Sequence, residues 1–358
     1  MLRITDETGG VHAELPLRAD LPLPKGEWTV YPATVIRRLS RDFGPLCVGL
    51  DFSFHSDLPQ DAGLSSSGAL ITAVALALSD ANGLPDNPAW RSALPTREML
   101  AGYLGAVENG RAFGRFPADG GVGTQGGSQD HTAILCSRPG MLMQYGFDPV
   151  RFERAVPFPQ GHALVVAVSG ITAAKTREAM ALYNGLAETA AELLRIWHEK
   201  HGGPARTLYA AITARRGSAL TLRGWLAGHP RQRQLEARLD QFVAECEEII
   251  PAVADLLGKG TVAGLGELID RSQRGAEEGL GNQVPETVHL QRSARTLGAA
   301  AASAFGAGFG GSVWALVPDP ILEEFTRAWS ADYLGRFPAQ QDRARFLTTR
   351  AGIPAGLL

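Results

Sequence analysis

The stretch "LPQDAGLSSSGALITAVALAL", residues 58–78, constrains this 358-residue chain more than any other. Leu70, Ile71, Val74, Ala75 and Leu78 recur at helical spacing, so the segment from Ser66 onward is predicted as a helix with one buried face. Ser65, Ser66 and Ser67 then fall at its first turn, where backbone N–H groups have no intrahelical partner. Those donors, the positive end of the helix dipole and the hydroxyls make a ready anion site. Gly63 lets the backbone approach a bulky anion, and Gly68 keeps a side chain out of the way. Serine is also a good helix N-cap, but one serine meets that need. Three in succession after a glycine loop favour a phosphate cradle running through Gly63, Leu64, Ser65, Ser66, Ser67 and Gly68. No GK[ST] follows the glycines, which excludes a Walker A loop.

A second glycine loop, "SAFGAGFGGSVWALV", spans residues 303–317. A tight turn from helix to strand needs one or two glycines. Gly306, Gly308, Gly310 and Gly311 exceed that need, and such a loop can pack its backbone against another backbone or a ligand.

The rest of the chain supplies a frame for these loops. It is 45% hydrophobic and 20% charged, enough for a sizeable core in two domains or one large two-lobed one. A net charge of −3 gives no sign of a nucleic-acid or acidic-membrane partner. Cys47, Cys136 and Cys246 form no CxxC pair, so neither a disulfide framework nor a zinc site is indicated. The start, "MLRITDETGG", lacks a signal-peptide pattern, and no run reaches the ~20 apolar residues of a membrane helix. A cytoplasmic protein, without membrane or nucleic-acid partners, is expected.

Short β-like segments ("LRIT", "HAELPL", "CVGLDFSF", "GMLMQYGF") dominate up to about residue 160, and "HALVVAV" reads as a buried strand. Helices are predicted over 173–200 (Met180, Tyr183, Leu186, Ala190, Leu193, Leu194 and Trp197 share a face), over "LEARLDQFVAECEEII", over 262–274 and over 286–303. "SVWALV" is a last strand before a helix near 320–334. Strands followed by helices give an α+β class, with lobes 1–160 and 161–358.

"LPQDAGLSSSGAL" and "FGAGFGGSVWALV" together, in this order, resemble the second and third signature motifs of the GHMP kinases. The GLSSS and GAGFGG forms resemble those of the galactokinase branch. "VENGRAFGRFPADGGVGTQGGSQDHTAIL" is similar to the galactokinase stretch from a glutamate-bearing helix to the loop of the catalytic aspartate, and "GEWTVYPATVIRRL" to the segment lying near the adenine. The resemblance covers about residues 26–318. It implies the two-lobed GHMP kinase fold, with an N-terminal domain like ribosomal protein S5 domain 2 and a ferredoxin-like and helical C-terminal domain. It also implies ATP and Mg²⁺ as cofactors and a sugar as acceptor, in a monomer or weak homodimer. The reaction would convert galactose, or a related sugar such as galacturonate, arabinose or N-acetylgalactosamine, into its 1-phosphate.

By the same resemblance Asp130 is the catalytic aspartate facing the anomeric hydroxyl, as base or as orienting group. An aspartate in a loop can otherwise serve an Asx-turn or a helix cap. Glu108 and Ser67 would hold magnesium, which takes one or two protein oxygens alongside phosphate and water. The ordinary alternative is an exposed Glu108 paired with Arg111 in an i,i+3 bridge. Trp28 and Tyr31, a helix turn apart, can flank a purine or simply fill the core. Gly308 and Gly310 would line the nucleotide site. Two positions depart mildly: His131 stands where galactokinases commonly have glutamine, with contacts to sugar or base open to change, and Gly68 where alanine is more usual.

A larger departure is the lack of an R-x-N-x-x-G-E-H-x-D-Y string, whose counterparts bind sugar hydroxyls and face the transferred phosphate in galactokinases. Three explanations are open: a start codon placed too late, a truncated or degraded kinase, or a galactokinase-like binding and regulatory protein. Retention of the phosphate loop, Glu108 and Asp130 favours a kinase lineage whose first strand has been lost from the reading frame.

Overall fold

The computed structural model describes residues 1–59, 62–171, 177–306 and 308–356, apart from the side chains of 177–181 and 183. The chain packs as two units. One comprises Met1–Pro59, Ser65–Ala155 and Ala351–Leu358, and the other Gln60–Leu64 and Val156–Arg350.

The first unit opens with β1 (Leu2–Asp6), β2 (Val11–Leu15), α1 (Val30–Phe43) and β3 (Leu50–Phe54). β1 lies between its neighbours, antiparallel to β2 and parallel to β3, with Leu2 opposite Leu15 on one side and Leu50 on the other. A parallel pair needs a crossover, and α1 lies within it. Period-2 alternation buries Leu2 and Ile4 completely, while Arg3 on the other face pairs with Asp51. Next come α2 (Ser66–Ala81), α3 (Pro88–Ala93), α4 (Arg97–Asn109) and α5 (Gln129–Cys136), then the two-stranded sheet of β4 (Met141–Gly146) and β5 (Arg151–Pro157). The apolar face foreseen on α2 is the one that packs: Ile71, Val74, Ala75 and Leu78 are buried with Ile36, Leu39, Tyr103 and Leu104. Each large aliphatic side chain so buried contributes about 1.5–3 kcal/mol.

The second unit holds β6 (His162–Val168), then α6 (Arg177–His201), α7 (Leu208–Ile212), α8 (Ser218–Gly224), α9 (Gln232–Val243), α10 (Ile250–Gly258), α11 (Leu265–Arg274) and α12 (Pro285–Thr296). β7 (Ala301–Ala304), β8 (Ser312–Pro318), α13 (Leu322–Arg336) and β9 (Arg345–Thr349) complete it. Its sheet runs β7-β8-β6-β9, all neighbours antiparallel. Side chains of α12 and α13, Leu290, Phe325, Trp329 and Tyr333 among them, form one core with that sheet, and α6 to α9 close a second core around Trp197, Leu222 and Leu235.

Two expectations change, and two strands come in addition. The helix expected over 286–303 stops at Thr296, and Ala301–Ala304 become an edge strand paired with β8. Alanine favours helix by propensity, but pairing to a buried strand outweighs that weak preference. The helix expected over 235–250 is interrupted by a π-helical turn, Ala244–Ile249, between α9 and α10. Edge strand β9 and strand β5 carry charged residues that blur the alternation, and periodicity did not find them. The beginning of the helix expected over 173–200, and the side chains of Met180 and Tyr183, lie outside the described residues. Among those described, no helix is long and apolar enough to cross a membrane.

Candidate active site

Ser65 is the N-cap of α2 but does not cap it with its side chain. Its backbone is left-handed, φ 59° and ψ 42°, a conformation costing a non-glycine residue about 1–2 kcal/mol. Its Oγ is buried without a hydrogen-bond partner among the described residues. Helix capping therefore does not account for the serines. Ser66 begins the helix, and the hydroxyl of Ser67, one residue on, donates to Glu108 Oε1 at 3.2 Å.

Glu108 lies in the last turn of α4 and is only 7% exposed. Gly110, at φ 68°, ends this helix, so Arg111 lies beyond it and the exposed i,i+3 pair is not formed. The following glycine-rich loop folds back on the helix end. Val122 N–H donates to Glu108 O at 2.9 Å, and Gly126 N–H to Asn109 Oδ1 at 2.5 Å. Close backbone approach explains two glycines here. A Cβ on Gly121 would lie 2.5 Å from Glu108 O, and one on Gly105 2.8 Å from Ser128 Cα. Arg37 on α1 grips Asp119 with two hydrogen bonds, 2.8 and 2.7 Å, which hold that carboxyl below its ordinary range. The net effect is to lay Ser128, the residue before α5, against α4.

Asp130 and His131 follow in the first turn of α5 and point in different directions. Asp130 is exposed, next to the start of α2: a Cβ on Gly68 would be 3.2 Å from Asp130 Cβ. Its carboxylate makes no hydrogen bond or ion pair among the described residues, so the turn or cap role open to such an aspartate is not realised. His131 is fully buried. Its Nε2 lies 2.9 Å from Glu108 Oε2 and its Nδ1 3.2 Å from Thr72 Oγ1 on α2. Ser67, Gly68, Glu108, Asp130 and His131 thus come together within the first unit, from three helices. The Ser67 and Glu108 oxygens offer two hard ligands. Among the described residues no group of three or more His, Cys, Asp or Glu could hold a metal ion, so a cation here needs ligands from elsewhere.

Gly63 and Leu64 belong to the second unit, where they lie by the later glycine loop. The fully buried Ser312 donates from Oγ to Ala62 O at 2.6 Å, and a Cβ on Gly63 would come within 3.9 Å of Gly311 Cα. Phe309, left-handed at φ 59°, donates its N–H to Asn282 O at 2.5 Å. A Cβ at Gly308 would fall 2.1 Å from that carbonyl, and one at Gly310 2.8 Å from Ile171 O. Gly308 and Gly310 press backbone on backbone. Trp28, in the turn before α1, and Tyr31, within it, are half-buried against the core of the first unit, with Trp28 6.3 Å from Phe54 and tilted 57°.

Thr72, Asn109 and Asn282 were not foreseen. Thr72 had a signal, a hydroxyl on a mostly apolar buried face. Asn109 and Asn282 had none, because the contacts that matter here, with Gly126 N–H and Phe309 N–H, come from loops distant in sequence.

The GHMP kinases N terminal domain matches residues 30–99, and the GHMP kinases C terminal domain matches residues 252–334. The chain thus matches both GHMP kinase domains, in order along its length, and it is similar to galactokinases. It is 28% identical over 301 residues to a galactokinase of Roseiflexus sp. (strain RS-1), covering 83% of this chain and 68% of the relative. A galactokinase of Streptomyces coelicolor is 26% identical over 314 residues, 87% of this chain and 72% of the relative. The fold is that of Lactococcus lactis galactokinase, solved in complex with galactose: TM-score 0.75 at 18% identity, covering 100% of this chain and 84% of that one.

Proposed function

We propose that this kinase transfers the γ-phosphoryl group of ATP to the anomeric hydroxyl of galactose or a closely related sugar, giving the sugar 1-phosphate and ADP. The observation that carries this reading is the exposed Asp130, unpartnered among the described residues, beside the first turn of α2, the helix whose Ser67 pairs with Glu108. The galactokinase relatives supply the sugar as acceptor.

The chemistry follows from the groups in place. Asp130 accepts a hydrogen bond from the attacking hydroxyl, orienting it and receiving its proton as the new bond forms. N–H groups of the first turn of α2, at the positive end of its dipole, face the phosphates. Ser67 Oγ and Glu108 Oε1, 3.2 Å apart, fit a magnesium ion completed by phosphate oxygens and water. Such an ion, when bound, neutralises phosphate charge. Little covalent work falls to the protein, so positioning and charge carry the catalysis.

The test incubates the purified chain with Mg·ATP and, separately, galactose, galacturonate, arabinose and N-acetylgalactosamine, following ADP. Galactose is expected to give the highest kcat/KM, with phosphorus NMR placing the phosphate on the anomeric carbon. ADP release at the sugar-free background in all cases would refute the reading. Binding of both sugar and ATP without turnover would favour a regulatory binding protein instead.

A further inference from the structure

We infer that His131 is a positioning residue for the divalent cation: it clamps Glu108 so that one carboxylate oxygen stays turned toward Ser67. This rests on the reading of Ser67 and Glu108 as the oxygen ligands. His131 neighbours the proposed catalytic Asp130 in sequence, yet it is fully buried. Its two ring nitrogens meet Glu108 Oε2 at 2.9 Å and Thr72 Oγ1 at 3.2 Å. An ionised carboxylate only accepts, so Nε2 carries the proton that bonds Glu108.

The contacts close into a ring. Ser67 and Thr72 both stand on α2, five residues apart, Glu108 is on α4 and His131 on α5. Glu108 cannot rotate about its terminal bond without giving up Ser67 on one side or His131 on the other. A side chain that only filled space would be as well served by an apolar residue, since a buried imidazole needs partners for both nitrogens. Partners that orient a ligand from behind typically change metal affinity 10–100-fold when removed. A glutamine could present one N–H to Glu108 from the same position, which makes His131→Gln the conservative replacement.

The test measures Mn²⁺ binding by electron paramagnetic resonance in the presence of a non-hydrolysable ATP analogue, alongside the affinity for the analogue without metal. His131→Leu is expected to raise the Mn²⁺ dissociation constant about 10-fold, leave metal-free analogue binding unchanged, and be largely rescued by His131→Gln. Thr72→Val, which keeps the imidazole and removes its second partner, is expected to raise it by less than His131→Leu does, and it decides the matter if His131→Leu does not fold. Glu108→Gln serves as the reference. Weaker Mn²⁺ binding in Glu108→Gln with unchanged binding in the folded His131 and Thr72 variants would overturn this inference alone. Unchanged binding in Glu108→Gln would overturn the magnesium reading and this inference with it.

Discussion

GLSSSG and GAGFGG are both glycine-rich turns at the end of a regular element, yet they are put to different use. In the first, from Ser65 onward, the backbone starts a helix and the side chains act: Ser67 reaches Glu108, and Gly68 leaves room beside Asp130. In the second, the backbone itself is the contact surface: Phe309 N–H meets Asn282 O, and Gly311 N–H meets Ile171 O at 3.0 Å. A glycine that clears space for a side chain can be replaced at small cost. One that presses on a carbonyl cannot.

That contrast can be broken by two alanine substitutions. Gly308→Ala combines a left-handed backbone, φ 81°, with a Cβ placed 2.1 Å from Asn282 O, a backbone atom that cannot swing aside. A loss of about 3 kcal/mol or more is expected in denaturant unfolding. A loss under about 1 kcal/mol would show that this loop yields and that the backbone contact is not a tight one. Gly68→Ala is the small effect. Its Cβ would meet Ser65 Oγ at 2.5 Å, but a hydroxyl can rotate, and Asp130 Cβ at 3.2 Å. Helix propensity favours alanine by about 1 kcal/mol, so stability is expected within about 1 kcal/mol of the parent. A larger loss would mean that Gly68 is pinned as firmly as Gly308.

The sequence made some of this legible and not the rest, for physical reasons. The buried face of α2 was readable because its apolar residues keep the helical period, and the start of that helix followed from the loop before it. The nearness of Glu108 and Asp130 was reachable only through resemblance. It is built by backbone approaches at Gly105 and Gly121 and by the Arg37–Asp119 pair, none of which has a periodic signature. The direction of His131 was not legible either: successive residues in the first turn of a helix point about 100° apart, so Asp130 faces solvent while its neighbour is buried. Trp28 and Tyr31 left core and ligand readings open, and both are found against the core. The alanine run before β8 misled by propensity, because tertiary pairing decided its state.

The central claim is that Asp130 carries the transfer while the start of α2 and Glu108 hold the nucleotide. Single-turnover phosphoryl transfer by Asp130→Asn, with ATP affinity measured on the same preparation, tests it most directly. The account expects transfer slowed about 10³-fold with ATP affinity within about 3-fold of the parent. Transfer at a near-parental rate would contradict it.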